Sequence, residues 1–203
     1  MRVLRASAAA HDILDMAFAS VAPGRRAALY LARSELPGAD GLAVLGTGLD
    51  EDSGHAPMYW ALARVFQRRG EVSRGRTVFE EGVGTVGSAG RAQVLRSWAV
   101  WEYEVGEKGR SLVVWRRAVE EGPKDVKAWR RLAEAEENAG EGAEAGLKVL
   151  MRGLEVHPRS GVLRVCAARL CERVEGAGGA WEVLEDFGVE GDVDVQRALG
   201  CSR

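Results

Sequence analysis

Apolar positions along this chain follow two alternating helical stripes, with glycine between them. The pattern is clearest from Leu95 to Val119. Leu95, Trp98 and Trp101 stand three residues apart, with Glu102 next, which places the three large side chains on one helical face. Gly106 and Gly109 then interrupt the helix. Beyond them Ser111, Val114, Trp115, Ala118 and Val119 fall at i, i+3, i+4, i+7 and i+8. The small residues at the edges of this second stripe allow a neighbouring helix to come close. Each segment has only about three to four turns, too few to be stable alone in water. Both must pack on each other and on neighbours above and below.

The second stripe recurs. A β-branched column runs through Ile13, Val44, Val78, Val114, Val149 and Val183, at spacings of 31, 34, 36, 35 and 34. The next residue is Leu14, Leu45, Phe79, Trp115, Leu150 or Leu184. Three positions earlier stand the small residues Ala10, Gly41, Gly75, Ser111, Gly146 and Ala180. Four positions later stand Ala17, Gly48, Gly82, Ala118 and Gly153, with Phe187 breaking the rule. A period in this range marks a stack of helix pairs. The first stripe repeats as Leu31-Ala32, Leu62-Ala63, Trp98-Ala99 and Leu132-Ala133. Glu35, Phe66, Glu102 and Glu136 follow, then Ala39, Gly70, Gly106 and Gly140. A looser fifth copy has Ala168, Glu172 and Gly176, with Arg169 in place of the alanine.

The columns predict a lone helix at about 7–20 and helix pairs at about 24–50, 57–85, 91–121, 125–156 and 160–187. A tail helix over 192–200 follows from Val193, Val195 and Leu199. In domain terms this is an N-terminal partial repeat (1–22), a repeat array (23–190) and a tail (191–203). Pro123 and Pro158 each precede a new pair, where helix-ending residues belong. Short linkers make neighbouring helices antiparallel. The acid-free start, MRVLRASAAAH, has the composition of a transit-peptide remnant, but the repeat alignment favours the first turns of a helix.

Composition narrows the functional classes. A net charge of −2 gives no global pull toward nucleic acid or anionic membrane. Four Lys against 24 Arg reflects base composition before it reflects function. Cys166, Cys171 and Cys201 form no tight pair, which suits buried thiols in a reducing compartment. His11, His55 and His157 stand apart from them, so no zinc pattern forms and no metal or cofactor is expected. No apolar run reaches bilayer-spanning length. The glycines from Gly82 to Gly87 lack a Gly-Lys-Ser/Thr ending and are expected to form a flexible inter-repeat loop. Glu80-Glu81, Glu120-Glu121 and Glu136-Glu137 read as solvated carboxylates, and nothing resembles a catalytic set.

The columns together resemble the half-a-TPR (HAT) repeat. The best copy is Leu95, Trp98-Ala99, Trp101-Glu102, Gly106, Ser111, Val114-Trp115 and Arg117-Ala118. The next is Trp129, Leu132-Ala133, Glu136, Gly140, Gly146, Val149-Leu150 and Arg152-Gly153, with one extra residue around Glu141-Gly142. The resemblance covers roughly 10–187. It implies an all-α, α-solenoid superhelix of about five HAT/TPR-like antiparallel helix pairs, and binding without catalysis. HAT arrays belong to splicing, 3′-end processing, ribosome biogenesis and plastid mRNA stabilisation, and the run Arg91–Glu141 looks most like the plastid group. The implied partner is single-stranded RNA, in an organelle, the chloroplast ahead of the mitochondrion. The alternatives are a protein–protein scaffold within an organellar ribosome, photosynthetic or other large assembly, and a nuclear pre-mRNA processing factor. No small-molecule substrate is implied.

Local charge supplies the candidate site. On a solenoid the first helices line the concave side. There Arg64, Arg68, Arg96, Lys127, Arg130 and Arg131 would attract phosphate, and arginine also stacks on bases. Arg116 is expected to point outward beside them. An RNA surface requires these arginines to be free of acids. A scaffold requires exposed apolar surface at the array ends. The tryptophans of the columns are expected in the core.

Overall fold

The computed structural model describes residues 2–175, which form ten α-helices and no strand. They are α1 (Arg2–Ser20), α2 (Ala27–Ser34), α3 (Gly41–Glu51), α4 (Ala56–Arg68), α5 (Val72–Thr85), α6 (Ser88–Glu104), α7 (Lys108–Glu121), α8 (Val126–Glu136), α9 (Gly142–Val156) and α10 (Gly161–Glu175). A π-helical turn, Glu137–Glu141, joins α8 to α9. The architecture is an all-α solenoid of helix pairs. The second helix of the fifth pair and the tail helix over 192–200 lie outside the described residues. Two compact units divide the chain, Met1–Trp101 and Glu102–Arg203, with the boundary inside α6.

Local chemistry sets the helix ends. Asp40 and Asp125 cap α3 and α8, accepting from the backbone N–H of Leu42 at 3.1 Å and of Lys127 at 2.9 Å. Pro57 occupies the first turn of α4, where a missing N–H costs nothing. The turns inside the pairs need a left-handed residue, and Gly70 and Gly106 supply it at φ 76° and 91°. In the first copy Gly38 takes that conformation beside Ala39. In the fourth copy it is Gly142, two residues after the expected Gly140, because the extra residue is absorbed by the π turn.

In the first unit each pair closes by laying an aromatic of the first helix on a glycine of the second. A Cβ on Gly48 would stand 2.8 Å from the Tyr30 ring, and one on Gly82 would stand 2.8 Å from Tyr59. Gly75 faces Trp101 in the same way, also at 2.8 Å. Phe79 stacks on Trp98 at 5.8 Å, and Phe18 meets Tyr30 edge-on at 4.9 Å. The second unit repeats the device. Trp129 lies against Gly153, and its indole N–H donates to the Pro123 carbonyl at 2.8 Å. The His157 ring also reaches that carbonyl, at 3.0 Å. Trp115, Leu150, Leu154 and Leu163 fill the remaining core.

The structure moves several expectations. The N-terminal helix begins at Arg2, five residues before the expected start. In the first copy Ala32 is exposed and Tyr30 is buried, so the core register is set by Tyr30 rather than by Leu31-Ala32. In the fifth copy Leu163 and Ala167 occupy the core, and Arg169, two residues beyond, is exposed instead of replacing a buried alanine. Helix α5 continues through Thr85, so Gly82 and Gly84 are helical rather than part of a loop.

Candidate functional site

In the first unit α4 presents Trp60, Arg64 and Arg68 at four-residue steps, one helical turn apart. The Arg64 guanidinium lies 4.8 Å from the Trp60 ring centroid, a cation–π contact on a half-buried ring. Arg68 is exposed and forms no ion pair with any described residue. Next to it, Arg69 pairs with Asp40 at 3.6 Å, and Arg74 pairs with Glu71 at 2.6 Å while covering Phe66. Arg96, on α6, is half-buried and has a partner of its own.

In the second unit the remaining candidates sit on α8. Arg131 donates to Glu134 at 2.8 Å, and Arg130 approaches the same carboxylate at 3.6 Å. Lys127 is exposed on the first turn. Helices α8, α9 and α10 enclose a cleft of about 190 Å³. Its floor is apolar, made by Leu150, Leu170 and Ala133, all buried. Its walls carry Arg130, Arg169 and Arg173 against Glu134 and Glu137. Arg173 is ion-paired to Glu137. Arg169 is exposed and forms no ion pair with any described residue. The half-buried Cys166 thiol opens into this cleft. Burial pushes it above its ordinary pKa, while Arg130 and Arg169 pull it down and Glu134 adds to the rise.

Two expectations fail here. Arg116 is not an unclaimed outward residue. Its Nε and one terminal nitrogen grip Glu136 in a bidentate pair, at 2.8 and 3.0 Å. Nor is Glu136 solvated, being 5% exposed. Glu102, its counterpart in the preceding copy, is also buried, at 1% exposed. In these two copies the acid belongs to the inside of the array, whereas Glu35 in the first copy and Glu172 in the fifth are exposed.

Sequence reasoning missed Trp60, Cys166, Arg169 and Arg173. Trp60 could have been found from the four-residue step to Arg64. Arg169 stood out as a break in the alanine column, which the structure resolves as a two-residue shift that puts Ala167 in the core and Arg169 on the surface. Among the described residues no cluster of His, Cys, Asp and Glu could hold a metal ion. No helix among them is long and apolar enough to cross a membrane.

No protein-family model matches the sequence, and no curated protein matches it either. Solved structures do. MamA aligns at a TM-score of 0.52 and 11% identity, over 79% of this chain and 89% of MamA. A MamA fragment from Desulfovibrio magneticus RS-1, residue 41 to the end, aligns at 0.52 and 16% identity, over 89% of this chain and 100% of that one. A monomeric mutant of IFIT1 with Gppp-AAAA aligns at 0.49 and 15% identity, over 96% of this chain. The present chain spans 48% of the IFIT1 chain. At these identities the likeness to MamA shows the fold alone, a TPR-like helical-repeat solenoid.

Proposed function

We propose that this protein is a non-catalytic scaffold that binds a partner polypeptide with the first-helix faces of its repeats. One observation carries the reading. The candidate arginines of α8, Arg130 and Arg131, share the carboxylate of Glu134, and Arg130 and Glu134 line an apolar-floored cleft. A phosphate backbone is best held by uncompensated cations, whereas mixed charge around apolar surface suits a polypeptide. A second observation points the same way. The α1 helix exposes Ile13 at 64% and Met16 at 70%. Ile13 belongs to a column whose Val78, Val114 and Val149 are buried, so α1 offers a core-type face to a partner.

The second reading is single-stranded RNA binding of the organellar kind that the half-a-TPR resemblance implies. It is favoured by the Trp60–Arg64 contact and by Arg68, a stacking surface beside an unpaired cation. The deciding experiment titrates labelled single-stranded RNA across a salt series. The polypeptide reading expects no saturable binding. Saturable binding that weakens steeply with salt, and that Arg64→Glu with Arg68→Glu removes, overturns it in favour of RNA.

A further inference from the structure

We infer that the cleft between α8 and α10 seats one aliphatic side chain of a partner polypeptide with an acidic residue beside it. The inference rests on the scaffold reading and names the chemistry of the partner. Size comes first. The cleft holds about 190 Å³. That is below the ~300–1,000 Å³ typical of small-molecule and cofactor pockets. A single side chain is the natural occupant, and the floor of Leu150, Leu170 and Ala133 makes it an apolar one.

Charge then selects its neighbour. Glu134 is divided between Arg130 and Arg131, and Glu137 is taken by Arg173. Arg169 is left with no ion pair to a described residue. The wall therefore carries three guanidinium groups against two carboxylates, and Arg130 and Arg169 both act on the Cys166 thiol. A ligand carboxylate arriving there gains charge-assisted hydrogen bonds, while a ligand cation meets repulsion. The π turn contributes directly. It begins at Glu137, the acid that occupies Arg173 at the cleft wall.

The test is an array of immobilised decapeptides in which one aliphatic and one charged position are varied independently. It is probed with the wild-type chain and with Arg169→Glu and Cys166→Trp. The second substitution fills the cleft from a half-exposed position. Wild-type protein is expected to select peptides that place Asp or Glu within two residues of Leu, Ile or Met. Each variant is expected to weaken that signal roughly tenfold or more. Iodoacetamide labelling of Cys166, mapped by mass spectrometry on the wild-type chain, is expected to slow when a selected peptide is bound. This readout stands even if a variant fails to fold. A preference for basic peptides, or no selected peptide at all, overturns the inference. Selected peptides that leave Cys166 labelling unchanged overturn the cleft and spare the scaffold reading. Saturable, salt-sensitive binding of oligouridine RNA with no peptide selected overturns both.

Discussion

Arg116 and Glu136 carry unequal weight in the pair they form. The carboxylate is buried, whereas about half of the arginine side chain is exposed. Removing the arginine strands a charge inside. Removing the acid's charge leaves a cation that water can reach. Arg116→Ala is therefore expected to cost about 2–3 kcal/mol, and Glu136→Gln about 1 kcal/mol. Equal urea midpoints for the two variants would refute the asymmetry. The aromatic seats give a second contrast. Ala gains about 1 kcal/mol over Gly inside a helix. At Gly82 the new methyl would press on the Tyr59 ring, an overlap that costs about 1–3 kcal/mol, so Gly82→Ala is expected to lower the thermal midpoint. At Gly46, within α3, nothing lies within 4 Å of the new atom, and Gly46→Ala is expected to raise it. Glu136 was readable as a member of the acid column but not as buried. Burial depended on Arg116, twenty positions upstream on another helix, which no local pattern announces. The Arg131–Glu134 pair was more legible, because its members stand three apart on one helix face.

Helix boundaries were readable where turn chemistry is local. Asp125 before α8 and Gly106 after α6 did what their types predict. The register of α2 was not, because that helix has eight residues, too few for its stripe to show a period. Its placement comes from Tyr30 settling on Gly48, a contact between elements. The π turn shows the same limit. One surplus residue was visible, but its absorption as a wider turn, and the move of the left-handed glycine to Gly142, came from packing. Gly142 adopts φ 78° and ψ −174°, a region essentially reserved for glycine. Gly142→Ala is expected to destabilise by about 1–3 kcal/mol. An unchanged urea midpoint would show that α9 can start without that geometry.

Across the whole molecule, a stack of repeats gains its stability from nearest neighbours, so protection should follow how many sides of a helix are covered. Within the first unit, α1 packs on α2 while its Ile13 and Met16 stand in solvent. By contrast, α4 packs on both α3 and α5. Hydrogen exchange followed by mass spectrometry is expected to show α1 exchanging well ahead of α4. Equal protection would mean that α1 is covered in solution. The solenoid class was legible because a repeated column records the same packing several times over. The candidate surface was only partly legible, since whether an arginine is free or taken depends on acids from other helices. Arg64 and Arg68 stayed clear of acids among the described residues, whereas Arg130 and Arg131 did not.

The glycine seats also bear on how such a chain can drift. Tyr59 on Gly82, Tyr30 on Gly48 and Trp129 on Gly153 are each a large side chain facing none at all. Neither member can change size alone without either a clash or a hole. In sequences descended from this one, the two positions of a seat should exchange together, a shrinking ring matched by a growing neighbour. Such paired exchanges would preserve the spacing of the helices while the residues that set it are replaced.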